Sequence, residues 1–381
     1  MSSRKSFDYI IIGTGLAGLQ LALTLAEDIF FKNKQIALID KSLKDKNDKT
    51  WSFWEKGQGK WDDIVIKSWN EALFYSKKNQ LHLPLIPYTY KTIRALDFYS
   101  KAKQRLLKSK NFHFIIDNVI TVKDDLNPTV LTDNNTYVAQ HIFDSRITEA
   151  YFSKFNHYTK IIQHFKGWVI EAKTPIFNPN QFTMMDYRLK DGAQTTFTYV
   201  LPFSKYKALV EFTYFTATVV NEDTYDGFIK KYVDTILKIS DYKIIETESG
   251  NIPMTNFPFE IYSTKNITKI GTAGGWVKGS TGYSFKHTEK KVAKIIKNLK
   301  SNKKPSSNLL KKKYKFYDKI FLKVLSDENH KGEWIFEQFY SLNSIETMFR
   351  FLDEESSFLE ELKIMKSLFS LAFVRAFFKT L

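Results

Sequence analysis

The chain has 381 residues, and its 57 Lys and Arg against 41 Asp and Glu leave a formal net charge of +16. Hydrophobic residues make up 43% and charged residues 26%, the values of an ordinary globular protein, which excludes a disordered or collagen-like chain. The absence of cysteine excludes disulfides, thiolate metal sites and cysteine nucleophiles, and it agrees with a cytosolic protein. The positive charge suits three kinds of partner, namely nucleic acid, an anionic membrane surface or an acidic cofactor.

Neither end of the chain predicts export or a membrane span. Residues 1–6 are polar and are not followed by the long apolar region of a secretory signal. The most apolar stretch near the C-terminus, residues 367–378, is interrupted by Arg375 and falls well short of the roughly 20 residues that cross a bilayer. We therefore expect a cytoplasmic protein.

The first forty residues predict a strand, a turn, a helix and a second strand. Residues 7–12 form a β-branched run that ends at Gly13, and residues 17–27 repeat apolar side chains at helical spacing. Residues 35–39 form a second apolar run that ends at Asp40. This order predicts the first unit of a parallel sheet and hence an α/β fold class.

The turn in this unit carries a dinucleotide-binding pattern. Residues 13–18 read Gly-Thr-Gly-Leu-Ala-Gly and match G-x-G-x-x-G. Gly13 allows the tight turn, Gly15 lets a pyrophosphate approach the backbone, and Gly18 lets helix and strand pack closely. Asp40 follows Gly18 by 22 residues and is expected to accept a hydrogen bond from a ribose hydroxyl. A loop between unrelated elements is the alternative, but the flanking strands and the acid favour a bound dinucleotide.

Two later segments favour FAD over a nicotinamide dinucleotide. An N-terminal glycine unit followed by segments that return to the same site is more typical of FAD enzymes. Residues 141–145 read as a strand that ends in an acid, and residues 267–285 hold two glycine-dense stretches. We expect Gly274 and Gly275 to approach the cofactor, since glycine lets a ligand lie against the backbone. A mobile glycine-rich loop is the alternative for this segment.

Three short motifs carry a family resemblance. They read Thr-Trp-Ser-Phe-Trp at 50–54, Leu-Val-Glu-Phe-Thr at 209–213 and Thr-Gly-Tyr-Ser-Phe at 281–285. With less specific segments along most of the chain, they resemble the bacterial lycopene β-cyclase family. Those segments are residues 8–25, Asp40, and residues 163–167, 185–188, 199–213, 248–254 and 271–285. The chain departs from the pattern at Thr272, where many flavoproteins of this fold have an Asp, and at Gly279, which replaces a usual proline.

The resemblance implies a fold and a division into domains. Members of the family are flavoproteins with the two-domain fold of the hydroxybenzoate hydroxylase group. We therefore expect a FAD-binding Rossmann-like domain, an antiparallel sheet domain for the substrate, and C-terminal helices. The implied ranges are 1–75, 92–160 and 255–300 for the FAD domain, 76–91 and 161–254 for the sheet domain, and 301–381 for the C-terminal helical region.

The resemblance also implies an acid-initiated reaction, for which Glu211 is the candidate acid. Residues 195–201 and 207–215 read as the strands of a hairpin, with Glu211 in the middle of the second. Phe215 shares its face and Phe212 points away, so both faces are apolar. A carboxyl in such a pocket is desolvated, which raises its pKa as a general acid requires. A sheet-edge Glu paired with a lysine is the alternative, and the match to the family's essential acid favours catalysis.

Asp186 is the second catalytic candidate. It follows Met185, and a carboxylate beside apolar residues usually has a reason to be there. An ion pair with Arg188 at a strand end is an equal alternative. Glu248 reads as a turn residue before Gly250, and lining the same cavity is the less ordinary interpretation. We assign no metal ligands.

The reaction implied by the resemblance is lycopene β-cyclisation. The ψ end groups of lycopene are closed to β-ionone rings, giving γ-carotene and then β-carotene without net redox change. FAD is expected to act in its reduced form, with NAD(P)H as the reductant, and other acyclic carotenoids are expected as further substrates. The alternative is a FAD-dependent aromatic monooxygenase or isoprenoid reductase of the same fold.

The C-terminal tail predicts a membrane contact. Residues 356–381 place bulky apolar side chains at helical spacing beside basic ones, as in a helix that lies in the interface of an anionic membrane. We expect peripheral association with the inner face of the membrane, and a helix docked on the core is an equal alternative. Nucleic acid is not an expected partner, because basic residues are scattered and are dense only at 286–313.

Overall fold

The computed structural model describes residues 5–153 and 157–381. Strands predominate from the N-terminus to residue 269, and helices predominate after it. In chain order the strands are β1 (Lys5–Ile12), β2 (Ile36–Asp40), β3 (Thr50–Lys56), β4 (Val65–Trp69), β5 (Glu71–Tyr75), β6 (Gln80–Pro84), β7 (Tyr88–Arg94), β8 (Phe112–Ile116), β9 (Val119–Lys123), β10 (Thr129–Thr132), β11 (Thr136–Asp144), β12 (Lys160–Ala172), β13 (Gln181–Asp186), β14 (Thr196–Pro202), β15 (Lys207–Thr216), β16 (Tyr242–Thr255) and β17 (Ile267–Lys269).

The helices interrupt the strands in the first part of the chain and follow one another in the last part. In chain order they are α1 (Leu16–Glu27), α2 (Ala95–Leu106), α3 (Glu149–Phe152), α4 (Glu222–Tyr232), α5 (Phe285–Lys300), α6 (Lys312–Asp327), α7 (Gly332–Leu342), α8 (Ile345–Leu352), α9 (Phe358–Ser367) and α10 (Leu371–Thr380). A π-helical segment, Val233–Leu237, continues α4.

The first sheet contains the predicted strand, turn, helix and strand, and confirms that unit. Its order is β8-β2-β1-β11-β10-β9, with β17 paired to β11. β1 runs parallel to β2 and β11, and β2 runs parallel to β8. Leu21 of α1, Phe98 of α2 and Ile295 of α5 belong to the core that covers one face. The loop between β1 and α1 therefore lies at the carboxyl edge of the parallel strands, where such sheets bind ligands.

The second sheet has the order β16-β12-β15-β14-β13-β5-β6. Its neighbours are antiparallel, except for the parallel pair of β13 and β5. β14 and β15 form the predicted hairpin, with ends that differ from the prediction by one residue at most. On one face Phe212 belongs to a core shared with α4, and on the other Phe215 contacts Phe336 of α7.

A third, separate sheet is small and has the strand order β3-β7-β4. The strand Glu71–Tyr75 belongs to the second sheet, although the sequence places it in the cofactor domain. Conversely, residues 88–91 open β7 and pair with β3, outside the second sheet. From this part of the chain, residues 71–84 belong to the second sheet, whereas the sequence predicts residues 76–91. The reason is that β5 and β6 form a hairpin whose first strand pairs with β13.

The C-terminal tail forms two short helices where residues 356–381 predict one. Ser357 caps α9 in a capping box with Glu360, and Ser370 caps α10 by accepting a hydrogen bond from the Phe373 amide. The second cap starts a new helix and so breaks the continuous pattern. α10 packs against α6. Within residues 5–153 and 157–381, no helix has both the length and the apolar character that a membrane span requires.

Candidate active site

A continuous cavity of about 920 Å³ joins the glycine loop to the C-terminal helices. Its lining includes Gly15 and Gly18 at the start of α1, Glu211 of the second sheet, and Phe369 and Phe377 near the C-terminus. This volume lies in the upper range for small-molecule pockets. The cavity therefore has a backbone-lined region at the first sheet and an apolar region under the last helices.

The glycine loop has the backbone geometry that a bound phosphate needs. Gly13 has φ +93°, and a Cβ on Gly18 would lie 2.0 Å from the Gly13 carbonyl oxygen, so neither position tolerates a side chain. A Cβ on Gly15 would meet no atom within 4 Å, which leaves open space beside the backbone at the N-terminus of α1. Amides in a first helical turn have no carbonyl partner in the helix and carry partial positive charge. The loop thus fits an anionic dinucleotide.

Asp40 holds this loop in place. Its Oδ2 accepts hydrogen bonds from the Thr14 amide at 2.7 Å and from the Thr14 hydroxyl at 3.0 Å, and its Oδ1 accepts one from the Ser42 amide at 2.8 Å. Asp40 is not among the residues that line the cavity. Its observed partners therefore belong to the protein, and a ribose contact stays a prediction.

The second glycine segment reaches the cavity through Gly271 and Gly282 rather than through the two glycines predicted. Gly271 has φ +60°, and a Cβ there would lie 3.1 Å from Cβ of Ala17 in α1. Gly271 lines the cavity, whereas Gly274 and Gly275 do not. A Cβ on Gly274 would lie 2.5 Å from the Lys269 carbonyl oxygen, and Gly275 ends the turn with φ +70°. Gly274 and Gly275 shape the turn, and the end of β17 at Lys269 is the sequence signal that could have identified Gly271.

Glu211 stands in the middle of β15 on the cavity face, as the hairpin predicts. Its side chain is 8% exposed, and its Oε1 accepts a hydrogen bond from the Thr213 hydroxyl at 2.7 Å. Burial raises its pKa to about 8, and the nearby Glu248 contributes in the same direction. Because Phe212 and Val210 pack on the opposite face against α4, the carboxyl faces the cavity. Glu211 is therefore a neutral acid near physiological pH.

Glu248 is a strand residue, and its interpretation as a turn residue is wrong. It lies within β16, because this segment pairs with β12 along its whole length. Its Oε2 accepts a hydrogen bond from the Thr50 hydroxyl at 2.5 Å, and it lines the cavity. Burial raises its pKa to about 7, whereas Thr50 and Arg94 act in the opposite direction. Gly250, which suggested the turn, leaves room for the Phe165 ring, since a Cβ there would lie 2.7 Å from it.

Asp186 is fully buried but is not brought to Glu211. Arg188 donates to it through Nε at 3.0 Å, and the Tyr232 hydroxyl donates at 2.6 Å. The Arg188 guanidinium also lies 3.8 Å from the centre of the Tyr75 ring. Asp186 does not line the cavity. The structure therefore shows Asp186 in the ion pair that was the alternative to catalysis, where its carboxylate accepts hydrogen bonds from two residues, Arg188 and Tyr232.

Three tyrosines that sequence reasoning did not single out line the cavity near Glu211. The Tyr199 hydroxyl donates to that of Tyr90 at 2.8 Å, and the Tyr90 and Tyr283 hydroxyls lie 3.0 Å apart. Burial raises the pKa of all three well above the usual value, so they stay neutral. The position of Tyr199, opposite Glu211 in the predicted hairpin, was the available signal.

The last two helices close the apolar region of the cavity and also present apolar side chains to solvent. Phe369 and Phe378 line the cavity and are 75% and 69% exposed. Leu359 and Leu371 are exposed without lining it. Lys379 of α10 pairs with Asp327 of α6. The tail is thus docked on the core and at the same time leaves an apolar outer surface.

The architecture is the two-domain FAD-binding fold, as predicted. A geranylgeranyl bacteriochlorophyll reductase-like protein from Thermoplasma acidophilum is similar over 100% of both chains, with a TM-score of 0.61 and 14% identity. A flavin-dependent brominase matches 98% of this chain and 99% of its own, with a TM-score of 0.57 and 13% identity. A halogenase crystallised with phloroglucinol and FAD matches 98% and 90%, with a TM-score of 0.59 and 11% identity. These likenesses concern the fold.

Within this fold the sequence defines a family. Residues 8–378 match the family described as "Lycopene cyclase protein", and the chain belongs to it, which confirms the resemblance. The chromoplastic capsanthin/capsorubin synthase of Capsicum annuum is 25% identical over 314 residues. These residues cover 74% of this chain and 58% of the plant protein, so the chain spans little more than half the length of that relative.

Proposed function

We propose that this protein is a lycopene β-cyclase that closes the ψ end groups of lycopene to β rings, giving γ-carotene and then β-carotene. The observation that carries the proposal is the Glu211 carboxyl, which is buried in an apolar cavity and has a pKa of about 8. An alkene is a weak base, so its protonation needs an acid that is neutral at working pH and shielded from water. Membership of the lycopene cyclase family supplies the substrate class.

The reaction begins with proton transfer from Glu211 to the terminal double bond of the substrate. The resulting tertiary cation is attacked by the neighbouring double bond, which closes the six-membered ring. A C–H bond beside the new cation then breaks, the electron pair of that bond forms the ring double bond, and the proton passes to a base. Substrate and product contain the same atoms, so the balance needs no oxidant or reductant.

FAD is the cofactor that the glycine-lined region would hold. Gly13, Gly15 and Gly18 with the N-terminus of α1 would bind the pyrophosphate, and Gly271 would lie against the same ligand. Bound FAD in its reduced form supplies negative charge that stabilises a cationic transition state, with NAD(P)H as the source of its electrons. The similar halogenase that was crystallised with FAD supports this assignment.

The aromatic lining suits a long polyene that carries a positive charge during the reaction. Tyr199, Tyr90 and Tyr283 stand near the acid, and Phe336 and Phe373 line the region under the last helices. Aromatic faces stabilise cations, and their apolar surface excludes water that would capture the carbocation. The cavity thus binds the hydrocarbon and protects its reactive form.

A membrane contact at the last two helices would let the enzyme collect its water-insoluble substrate. Leu359, Leu371 and Phe378 are exposed apolar side chains of the last two helices, and Phe378 also lines the cavity. Lys363 and Lys366 lie on the same tail. Such a surface inserts into the interface of an anionic bilayer. We place the enzyme in the cytoplasm on the inner face of the membrane.

The experiment that tests the proposed reaction is expression in cells that accumulate lycopene, followed by identification of the carotenoids formed. We expect γ-carotene and β-carotene, which have the mass of lycopene. Unchanged lycopene beside folded, flavin-loaded protein would overturn the proposal. A second candidate, an isoprenoid reductase, is favoured by the similarity to the reductase-like protein from Thermoplasma acidophilum. A product heavier by hydrogen would identify a reductase, and one heavier by oxygen would identify a monooxygenase.

A further inference from the structure

Two carboxyl side chains flank one glycine on the cavity face of the second sheet. Gly167 of β12 pairs with Glu211 of β15 on one side and with Glu248 of β16 on the other. Residues directly opposite on neighbouring strands project to the same face. A Cβ on Gly167 would lie 3.4 Å from Cβ of Glu211 and 3.5 Å from Cγ of Glu248. The absent side chain therefore leaves the space between the two carboxyl groups open.

The surroundings of the two carboxyl groups assign them opposite charge states. Glu211 accepts one hydrogen bond from Thr213, and no cation contributes to its pKa. Glu248 accepts from Thr50, and Arg94 favours its ionised form. Two neighbouring carboxyl groups are not readily ionised together. The proton therefore stays on the carboxyl group whose negative charge is stabilised less by its surroundings. Glu211 is then the acid and Glu248 the carboxylate.

We propose that Glu248 is a second catalytic residue, the base that accepts the proton lost from the cyclised end group. This inference rests on the proposed function, because it needs a cation formed beside Glu211. In the first step the Glu211 O–H bond breaks and a C–H bond forms on the substrate. In the last step a C–H bond beside the ring cation breaks, its electron pair forms the ring double bond, and the proton passes to the Glu248 carboxylate.

One proton transfer then restores the starting state. After the reaction Glu211 is ionised and Glu248 is protonated, and passage of the proton from Glu248 to Glu211 across Gly167 regenerates both. No proton is gained or lost over the cycle, as an isomerisation requires. The position of the base also determines which C–H bond breaks, and hence which ring isomer forms.

The charged and titratable groups of the pair and its surroundings come from four strands, β7, β14, β15 and β16, and from the segment just before α5. Glu211 faces Glu248 and the neutral Tyr199 and Tyr283. Glu248 also faces Glu246 on its own strand, and Arg94 at the end of β7. Arg94 Nη2 donates to Glu246 Oε2 at 3.1 Å, so these two opposite charges largely offset each other. The charge on Glu248 is thus the main one that Glu211 responds to.

The experiment compares the wild-type enzyme with Glu248→Gln on lycopene in liposomes. We expect a rate about tenfold lower or more, a smaller share of β rings among cyclised end groups, and an altered pH profile. The acid limb of the wild-type profile should disappear with the base. The alkaline limb should move to lower pH, because loss of the neighbouring negative charge makes Glu211 easier to ionise.

Two further variants keep the result decisive. Glu171→Gln removes an exposed carboxylate of β12 that does not line the cavity, and we expect the wild-type ring ratio. Glu248→Asp keeps the charge, and we expect the share of β rings to recover in part. This variant also provides a test if the Glu248→Gln protein fails to fold. If wild-type enzyme cyclises lycopene and Glu248→Gln matches its rate, ring ratio and pH profile, Glu248 is not the base. If the wild-type enzyme makes no ring, the proposed function itself is wrong.

Discussion

Tyr199 and Glu211 lie directly opposite each other in the β14–β15 pair, and both line the cavity. The Tyr199 hydroxyl donates to Tyr90, so it does not compete for the carboxyl, whose Oε1 accepts from Thr213. Among residues 5–153 and 157–381, no group forms a hydrogen bond with Oε2 of Glu211. Oε1 of Glu211 is therefore held by the Thr213 hydroxyl, and Oε2 is free to carry a proton into the aromatic cavity.

Glu211→Gln should abolish cyclisation and leave the fold intact. The amide has nearly the shape of the neutral acid but has no acidic proton to donate to an alkene. We expect the rate of β-ring formation to fall at least about 100-fold, with flavin content unchanged. The matched control is Glu171→Gln, which alters an exposed glutamate of β12 and should keep wild-type activity. Cyclic product at the wild-type rate from Glu211→Gln would contradict the acid assignment.

The cyclisation rate should fall as the pH rises through about 8. Burial raises the pKa of Glu211 to about 8, so its neutral, proton-donating form predominates below this pH and is lost above it. The measurement is the initial rate of ring formation against pH, with flavin content checked at each point. A rate that stays constant well above pH 9 would show that another group supplies the proton.

Gly15→Ala should reduce flavin binding without changing stability. A Cβ at Gly15 meets no protein atom within 4 Å, and its φ of −80° suits any residue. The methyl group would instead occupy the space where a pyrophosphate approaches the backbone. We expect a dissociation constant for FAD about tenfold higher or more, measured by flavin fluorescence, and a melting temperature of the flavin-free protein close to wild type. Unchanged FAD affinity would place the dinucleotide elsewhere.

Gly167→Ala should impair catalysis through the two carboxyl groups. The new Cβ would lie 2.9 Å from Cδ1 of Leu209 and would fill the space between Glu211 and Glu248. We expect kcat to fall about tenfold with a change in the pH profile. The control is Gly227→Ala in α4, where a Cβ meets open space and should stabilise the helix by about 0.5–1 kcal/mol. Equal kcat in both variants would show that the space above Gly167 is not used.

Charged residues on the tail should weaken membrane binding. Leu359 and Leu371 are 76% and 77% exposed and do not line the cavity, so Leu359→Glu with Leu371→Glu alters only the outer surface. We expect about tenfold weaker binding to liposomes that contain phosphatidylglycerol, measured by flotation. The charge-matched control changes Ile29 and Leu126 to Glu. Both are highly exposed residues of the FAD domain, and this variant should bind as wild type. Equal losses in both double variants would indicate a general charge effect.

The sequence by itself determined the features that depend on local backbone geometry and side-chain period. Glycines at 13, 15 and 18 between a β-branched run and a helical repeat predict the loop. A positive φ requires glycine at 13, a close backbone contact requires it at 18, and the missing side chain at 15 leaves open space for a ligand. The alternation around Glu211 predicts which residues share its face, because strands have a period of two. Family motifs then connect these local features to a reaction.

Only the tertiary structure decided which distant residues meet. Glu248 stands beside Glu211 because both pair with Gly167, a register between three strands that local pattern does not encode. Asp186 is held by Tyr232, 46 residues away, which local sequence does not reveal. A strand's own alternation gives its two faces, but the pairing of strands places a carboxyl at the cavity or in an ion pair, and burial there sets its pKa.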